Sequence, residues 1–452
     1  MFGSKHYVLR FLTPPRIFVL SFAGFIMIGS LFLWLPFAAT RDIPFIDALF
    51  MSTSAVCVTG LATLDIGTTF SRAGQIVLIV LFQLGGLGII TFSAFLFGIM
   101  RRGISFKGRE IVQTTLLPKP RRDFFLILKV AVLYTLVIES AGAVLLFLRF
   151  STDFPPGQAL YFAVFHALSA FNNCGLSLFA DSFIRYRGDV LLNVTIMSLI
   201  ILGGIGFVVQ YEILRRLKDG RSRISLHSRI VILTTAFLIL GGAVFFWVFE
   251  GNHTLQGLPF QTKALVSLFQ SVTTRTAGFS TVDIANLTNA TIMIMMVLMF
   301  IGGSPGSTAG GIKTTSFALL ILTIWNRWRG RETVSVGNRT IPDELISRTL
   351  IITLLSMSFI LIAVAVIMTA GHLGSGAMER QKFVEYTFET ISAFGTVGLS
   401  MGATERLNDL QKLTIILTMF TGRVGPLTLA FALSLREGKK SLIYAEETVM
   451  VG

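Results

Sequence analysis

Apolar residues run along this chain in blocks too long to be one face of an amphipathic helix. Eight of them, roughly residues 16–38, 74–100, 123–149, 188–214, 226–249, 290–324, 346–370 and 410–435, are long enough to cross a bilayer, since a spanning helix needs about 20 apolar residues. Within each successive pair lies a shorter apolar run: Phe45 to Val56, Leu160 to Phe171, one from Gln261, and Phe383 to Phe394. These runs are too short to cross, so each must enter and leave on the same face, as a short helix followed by an extended segment. Such backbone survives at membrane depth only where it is buried in protein or lines a watery cavity. The pattern predicts an all-α membrane protein of four pseudo-symmetric span–re-entrant pore loop–span repeats, eight transmembrane helices in all, around a central pore.

A glycine echo supports the fourfold reading. Each short run is followed by a related motif: Val58-Thr59-Gly60-Leu61, Asn172-Asn173-Cys174-Gly175-Leu176, Arg275-Thr276-Ala277-Gly278-Phe279 and Gly395-Thr396-Val397-Gly398-Leu399. Phe50, Phe165 and Phe388 stand ten residues ahead of their pivot glycine, and Ser54-Ala55, Ser169-Ala170 and Ser392-Ala393 six and five ahead. The third copy is one residue shorter, with Phe269 nine ahead of Gly278. A second echo follows further on: Gly85-Gly86-Leu87-Gly88, Gly203-Gly204-Ile205-Gly206, Gly302-Gly303-Ser304-Pro305 and Gly422-Arg423-Val424-Gly425. Registered repeats of this kind decide the architecture. The repeats are bounded at 1–122, 123–225, 226–344 and 345–452. The glycines of the second echo at 85–88 and 203–206 serve either close helix packing or the lining of a pore.

The sixth long run differs from the others. Gly302-Gly303-Ser304-Pro305-Gly306-Ser307-Thr308-Ala309-Gly310-Gly311 holds five glycines and a proline in ten residues, which cannot remain continuous helix. A helix broken in mid-membrane is expected here, with Lys313 just beyond it.

Composition agrees with a polytopic membrane protein. The chain is 53% hydrophobic and 14% charged, against about 25% charged in soluble domains. The net charge of +14 would fit a nucleic-acid binder if it were spread over a soluble surface. Instead, residues 1–16, 101–122, 215–229, 327–348 and 436–452 carry a net +16 and the rest of the chain −2. Those stretches fall on one side of the predicted spans, so the excess marks the cytoplasmic face and places both termini there. Residues 17–38 are too long an apolar run for a cleavable leader. Cys57 and Cys174, the two cysteines, make no disulfide framework. No metal-ligand spacing, phosphate-cradling loop or paired carboxylate points to an enzyme.

Four such repeats in one chain would bring four extended segments together on an axis. The short helices would aim their carbonyl ends inward, a favourable field for a cation. A glycine at each pivot can adopt φ > 0 and turn successive carbonyls the same way. The segments of repeats 1, 2 and 4 lack ionisable residues, and repeat 3 has only Arg275. A ring of backbone carbonyls suits a weakly hydrated monovalent cation.

With these motifs, with Ser304 to Thr315, and with Gly422-Arg423-Val424-Gly425-Pro426, the chain resembles the Ktr/Trk/HKT superfamily of potassium transporters, and within it the KtrB-type subunits. Nearly the whole chain is covered, and the two extra N-terminal spans usual in TrkH-type members are missing. The resemblance implies K+ uptake down its electrochemical gradient across a bacterial inner membrane. It implies a homodimer on a cytoplasmic KtrA-type nucleotide-binding ring, with ATP or ADP held by that partner. It puts K+ at the carbonyls of Val58 and Thr59, Asn173 and Cys174, Thr276 and Ala277, and Thr396 and Val397, beside Gly60, Gly175, Gly278 and Gly398. In some plant relatives serine replaces the first pivot glycine and Na+ is carried; Gly60 favours K+. The tail ending at Gly452 would dock on the neighbouring protomer.

Arg423 stands where Gly86, Gly204 and Gly303 stand in the other repeats. A charge at mid-membrane must find partners, and the carbonyls of 302–311 are the natural ones. Loop and Arg423, with Lys313, are expected to form a gate beneath the filter, to cap the broken helix, or to do both. Arg275 is expected to brace the filter by pairing with Glu389 or Asp47, and His166 to be a hydrogen-bonded residue behind it. The alternatives are an Na+-permeable or poorly selective transporter of the same fold, and a secondary symporter, for which broken helices are also typical but inverted rather than parallel repeats would be expected.

Overall fold

The computed structural model describes residues 14–100, 124–220, 222–336, 339–371 and 377–433. The basic stretches 101–122 and 436–452, including the tail at Gly452, lie outside the described residues. The described chain is mostly helical, and one element order recurs. A long helix leads to a short helix, then an extended stretch, then a second helix. In the first copy these are α1 (Pro14–Trp34), α2 (Phe45–Val56) and α3 (Arg72–Met100); in the second, α4 (Phe124–Phe150), α5 (Pro156–Phe171) and α6 (Val190–Gly204), continued by α7 (Phe207–Asp219). The third has α8 (Leu226–Glu250), α9 (Phe260–Thr273), α10 (Asn289–Phe300) and, past a loop, α11 (Thr314–Trp328). The fourth has α12 (Asp343–Ala370), α13 (Ala377–Gly395), α14 (Asp409–Val424) and α15 (Pro426–Leu433). A two-residue antiparallel pair, β1 (Ser335–Val336) with β2 (Arg339–Thr340), lies between α11 and α12.

Among the described residues, α1, α8, α12 and the Ala131–Phe150 part of α4 are each long and apolar enough to cross a membrane. Two further candidates are sharply bent pairs. The runs 188–214 and 410–435, expected as continuous spans, are not: α6 and α7 meet at 104° and α14 and α15 at 97°. The cause is local. Gly206 and Gly425 sit at the corners with φ of 95° and 89°, a conformation that leaves the helical path and strains any residue with a Cβ. Pro426 then begins α15, where its missing N–H costs nothing.

Local signals start the helices. Pro44, Pro155 and Pro259 immediately precede α2, α5 and α9, each with extended ψ near the turn-in. Asp189, Thr288 and Asn408 cap α6, α10 and α14 by accepting from backbone N–H groups, Asn408 in a reciprocal box with Gln411. Such caps satisfy donors that a helix start leaves unpaired.

The short helices are the buried centre. Phe50, Phe165, Phe269 and Phe388, the registered phenylalanines, are wholly buried. Ser52 Oγ donates to Ile26 O at 2.7 Å and Ser271 Oγ to Ile239 O at 2.6 Å, tying α2 to α1 and α9 to α8. Lys412 Nζ on α14 lies 2.6 Å from Asp47 Oδ1 on α2, joining the fourth copy to the first. The outward faces of α1, α8 and α12 are apolar and exposed, as at Leu31, Phe237 and Leu361, which suits a lipid-facing surface.

Candidate functional site

Each short helix ends in the same backbone device. Val58, Asn173, Thr276 and Thr396, two residues before their pivots, have φ of 56°, 58°, 71° and 52°. Gly60, Gly175, Gly278 and Gly398 have φ of 95°, 74°, 79° and 89°. Left-handed backbone at alternate positions turns neighbouring carbonyls to a common side. For β-branched Val58, Thr276 and Thr396 this conformation is an outlier, held only because the surroundings over-determine it, at about 1–3 kcal/mol each.

The registered serines supply part of that hold. Thr59 N donates to Ser54 O, Cys174 N to Ser169 O and Val397 N to Ser392 O, all at 2.8 Å. In the shorter third copy Ala277 N donates to Thr273 O at 3.0 Å. The hydroxyls finish the turn: Ser54 Oγ and Ser392 Oγ accept from Gly60 N and Gly398 N, while Ser169 Oγ and Thr273 Oγ1 donate to Leu176 O and Phe279 O.

The four segments meet. A Cβ placed on Gly60 would overlap the carbonyl oxygen of Cys174, and one on Gly398 that of Thr59. On Gly175 it would lie 2.5 Å from Ala277 O, and on Gly278 2.6 Å from Val397 O. Each pivot therefore abuts the carbonyl one residue before the next pivot, and the circuit from copy one through four closes on itself. Any side chain here would collide with the backbone of the next copy. The donors brought together are neutral carbonyl oxygens, the ligand type that replaces water around an alkali cation. Buried Oγ1 atoms of Thr59 and Thr396 bond to no protein group, so polar capacity remains beside the ring. Cys57 and Cys174 are buried free thiols in the same turns.

The first glycine of the second echo packs. A Cβ on Gly85, Gly203 or Gly422 would overlap the carbonyl of Val56, Phe171 or Phe394, so these glycines let an inner helix press against the short-helix ends. The position after it differs in the fourth copy, where Arg423 is buried. Its Nη1 donates to Thr308 O and its Nη2 to Gly85 O at 2.6 Å.

Thr308 belongs to the broken stretch between α10 and α11, on the side to which the short helices point their carbonyl ends. Gly302, Gly303, Ser304, Ser307, Thr308, Ala309 and Gly310 are buried; Pro305, Gly306, Gly311 and Lys313 are half-buried. The stretch is bonded across copies. Ser304 N donates to Gly204 O at 3.0 Å, Thr308 N to Gly203 O at 3.3 Å, and Phe207 N, opening α7, to Gly306 O at 3.0 Å. Gly310 lies against the Thr396 side chain, with no room for a Cβ. Lys313 Nζ donates to Ala309 O at 2.8 Å, within the stretch itself. The loop thus lies directly beneath the ring and is tied to the second and fourth copies, and through Arg423 to the first.

Arg275 departs from expectation. It pairs with neither Glu389 nor Asp47. Its Nη1 donates to Thr235 O at 3.3 Å and its Nη2 to Gly302 O at 3.4 Å, joining the third segment to α8 and to the start of the loop. Glu389 has its oxygens filled by Ser400, Met401 N and Thr404, and Asp47 is held by Lys412. His166 is buried behind the second segment and hydrogen-bonded on both ring nitrogens. The left-handed non-glycine residues and the corners at Gly206 and Gly425 are not among the features expected from the sequence. Only the corners had a signal, a glycine closing the second echo and, in the fourth copy, Pro426 after it.

Known proteins share this chain's sequence and fold. The TrkH family, described as "Cation transport protein", matches residues 5–442. Ktr system potassium uptake protein B of Vibrio alginolyticus is 36% identical over 440 residues, covering 97% of this chain and 95% of that protein. Potassium/sodium uptake protein NtpJ of Enterococcus hirae is 35% identical over 456 residues, covering 99% of each. The crystal structure of the potassium transporter TrkH from Vibrio parahaemolyticus has the same fold, with a TM-score of 0.68 at 19% identity, over 92% of this chain and 84% of that one.

Proposed function

The chain belongs to the TrkH family of cation transport proteins, and on that premise we propose that it is the K+-selective, ion-translocating subunit of a potassium uptake system. K+ passes down its electrochemical gradient through the centre of the four segments. The residues that hold it are Val58, Thr59 and Gly60; Asn173, Cys174 and Gly175; Thr276, Ala277 and Gly278; and Thr396, Val397 and Gly398. Their backbone carbonyls replace the ion's hydration shell. The single observation that carries this reading is the closed circuit in which each pivot glycine abuts the next copy's carbonyl.

Under this reading the four copies are pseudo-symmetric repeats with boundaries at 1–122, 123–225, 226–344 and 345–452, and the chain crosses the membrane eight times, the bent and broken helices included. The excess positive charge puts both termini on the cytoplasmic side of a bacterial inner membrane. The stretch from Gly302 to Gly311, with Lys313 and Arg423, closes the path beneath the filter and must shift for ions to pass. A homodimer bearing a cytoplasmic KtrA-type ring that binds ATP or ADP would drive that shift; a relative named as part of a Ktr system supports such a component.

A second reading, transport of Na+ as well as K+, is favoured by the relative named a potassium/sodium uptake protein. One experiment separates the two. Ion flux is measured in proteoliposomes under K+ or Na+ gradients, for the parent and for Gly60→Ser. A parent that passes K+ over Na+, and a variant that loses the preference, uphold the K+ reading. Equal passage of both ions by the parent supports the second reading and rejects carbonyl selection.

A further inference from the structure

Behind the filter the repeats share one more registered position, and its chemistry differs in every copy. Nine residues ahead of their pivots, and eight in the shorter third copy, stand Met51, His166, Gln270 and Glu389; two residues past the pivots stand Ala62, Ser177, Ser280 and Ser400. In three copies the pair is bonded. His166 Nε2 lies 3.1 Å from Ser177 Oγ and accepts from Leu178 N at 3.3 Å. A backbone N–H can only donate, so Nε2 is the acceptor, and Nδ1–H donates to Phe162 O at 2.8 Å. Gln270 Nε2 donates to Ser280 Oγ and Thr281 Oγ1, both at 3.2 Å. Glu389 Oε1 accepts from Ser400 Oγ at 2.5 Å and Met401 N at 3.1 Å, and Oε2 from Thr404 Oγ1 at 2.7 Å. All three side chains are buried. In the first copy Met51 and Ala62 are apolar and cannot make the bond.

We propose that His166, Gln270 and Glu389 are positioning residues for ion selection: each straps the chain leaving its filter segment to the short helix behind it, and the first segment, unstrapped, is the compliant one. The inference rests on the reading of these segments as the K+ filter. An imidazole, an amide and a carboxylate have little in common except hydrogen-bonding capacity, so a shared position and a shared partner point to bracing. A carbonyl ring prefers the larger K+ only while its oxygens resist closing onto Na+. The straps supply that resistance on three sides, since buried hydrogen bonds must break before the strand can move.

The test replaces two of the three straps, His166 and Gln270, by an apolar residue and by each other's side chain. Flux of K+ and of Na+ is measured in the same proteoliposomes for the parent, His166→Leu, Gln270→Leu, His166→Gln and Gln270→His. Loss of one buried hydrogen-bond pair is expected to lower the K+/Na+ flux ratio roughly three- to tenfold in the leucine variants. The exchanged polar variants are expected to restore most of it. Leucine and polar variants with the parent's ratio, in protein that melts cooperatively, overturn the proposal. Should the leucine variants not fold, Met51→Gln with Ala62→Ser adds the fourth strap; a higher ratio supports the proposal, and an unchanged or lower one overturns it. A parent that itself shows no K+ preference refutes instead the filter reading beneath.

Discussion

Removing the Arg423 side chain should open the path. In the structure this guanidinium is buried and donates to Thr308 O in the loop and to Gly85 O on α3. Only the first bond is lost when the loop moves away; the second lies off the loop and persists. A hydrogen bond from a charged donor contributes about 1.5–3 kcal/mol net, and each 1.4 kcal/mol is tenfold, so Arg423→Ala should raise the open-to-closed ratio roughly ten- to a hundredfold. The loop keeps its bonds to Gly203 and Gly204, so it is loosened rather than released. K+ flux into proteoliposomes containing the chain alone should rise by up to that factor, levelling off once the open state dominates. Arg423→Lys keeps the charge but serves one carbonyl at a time, and should fall between. The variants are compared at equal reconstitution and with melting followed in detergent, because the truncation leaves Gly85 O without its donor. Parent-level or lower flux from a folded Arg423→Ala protein rules out a gating role, and the arginine is then a cap on the broken helix.

Other expectations follow from particular contacts. Deleting 304–311 removes the loop itself and should raise flux at least as far as Arg423→Ala; a fall in flux from stable protein counts against gating. Gly175→Ala and Gly278→Ala put a methyl 2.5 and 2.6 Å from a backbone carbonyl oxygen of the next copy, well inside van der Waals contact and at positive φ, and should abolish K+ flux; parent-level flux from either variant would refute the closed circuit. Val58→Gly relieves left-handed strain of about 1–3 kcal/mol but empties a buried side-chain site worth about 1.5–3 kcal/mol; it should melt at or somewhat below the parent temperature and discriminate less between K+ and Na+, and unchanged discrimination would reject a role for the strained backbone in selection. Breaking the part-buried Lys412–Asp47 pair by Asp47→Asn alone should cost about 1.5–3 kcal/mol, the worth of a hydrogen bond to a charged group, read as a lowered melting temperature. Adding Lys412→Gln should recover most of that loss.

The four pivot glycines were legible because their physical demands select one residue type. Positive φ combined with contact against another backbone admits only glycine, so Gly60, Gly175, Gly278 and Gly398 mark themselves. The same demand at Val58, Asn173, Thr276 and Thr396 left no mark, because there the side chain has room and tertiary bonds override the local penalty. The corners at Gly206 and Gly425 were hidden by hydropathy, since apolar residues continue past them and a bend does not interrupt composition. Arg275 was misjudged for a different reason. Opposite charges were expected to pair, but Glu389 is already filled by hydroxyls of its own repeat, and in a broken-helix environment carbonyls are the available acceptors. Arg423 was legible because it breaks a glycine register beside a stretch that must expose its own carbonyls.

On the proposed reading an alkali cation sits at the meeting point of the four glycine segments. The most direct measurement is anomalous diffraction from crystals of the full chain grown with Tl+ or Rb+ in place of K+. A peak is expected on the axis in contact with the carbonyls of Thr59, Cys174, Ala277 and Val397, lost on exchange into Na+. A peak elsewhere in the protein with none on that axis, or one on the axis that Na+ leaves undiminished, would contradict it.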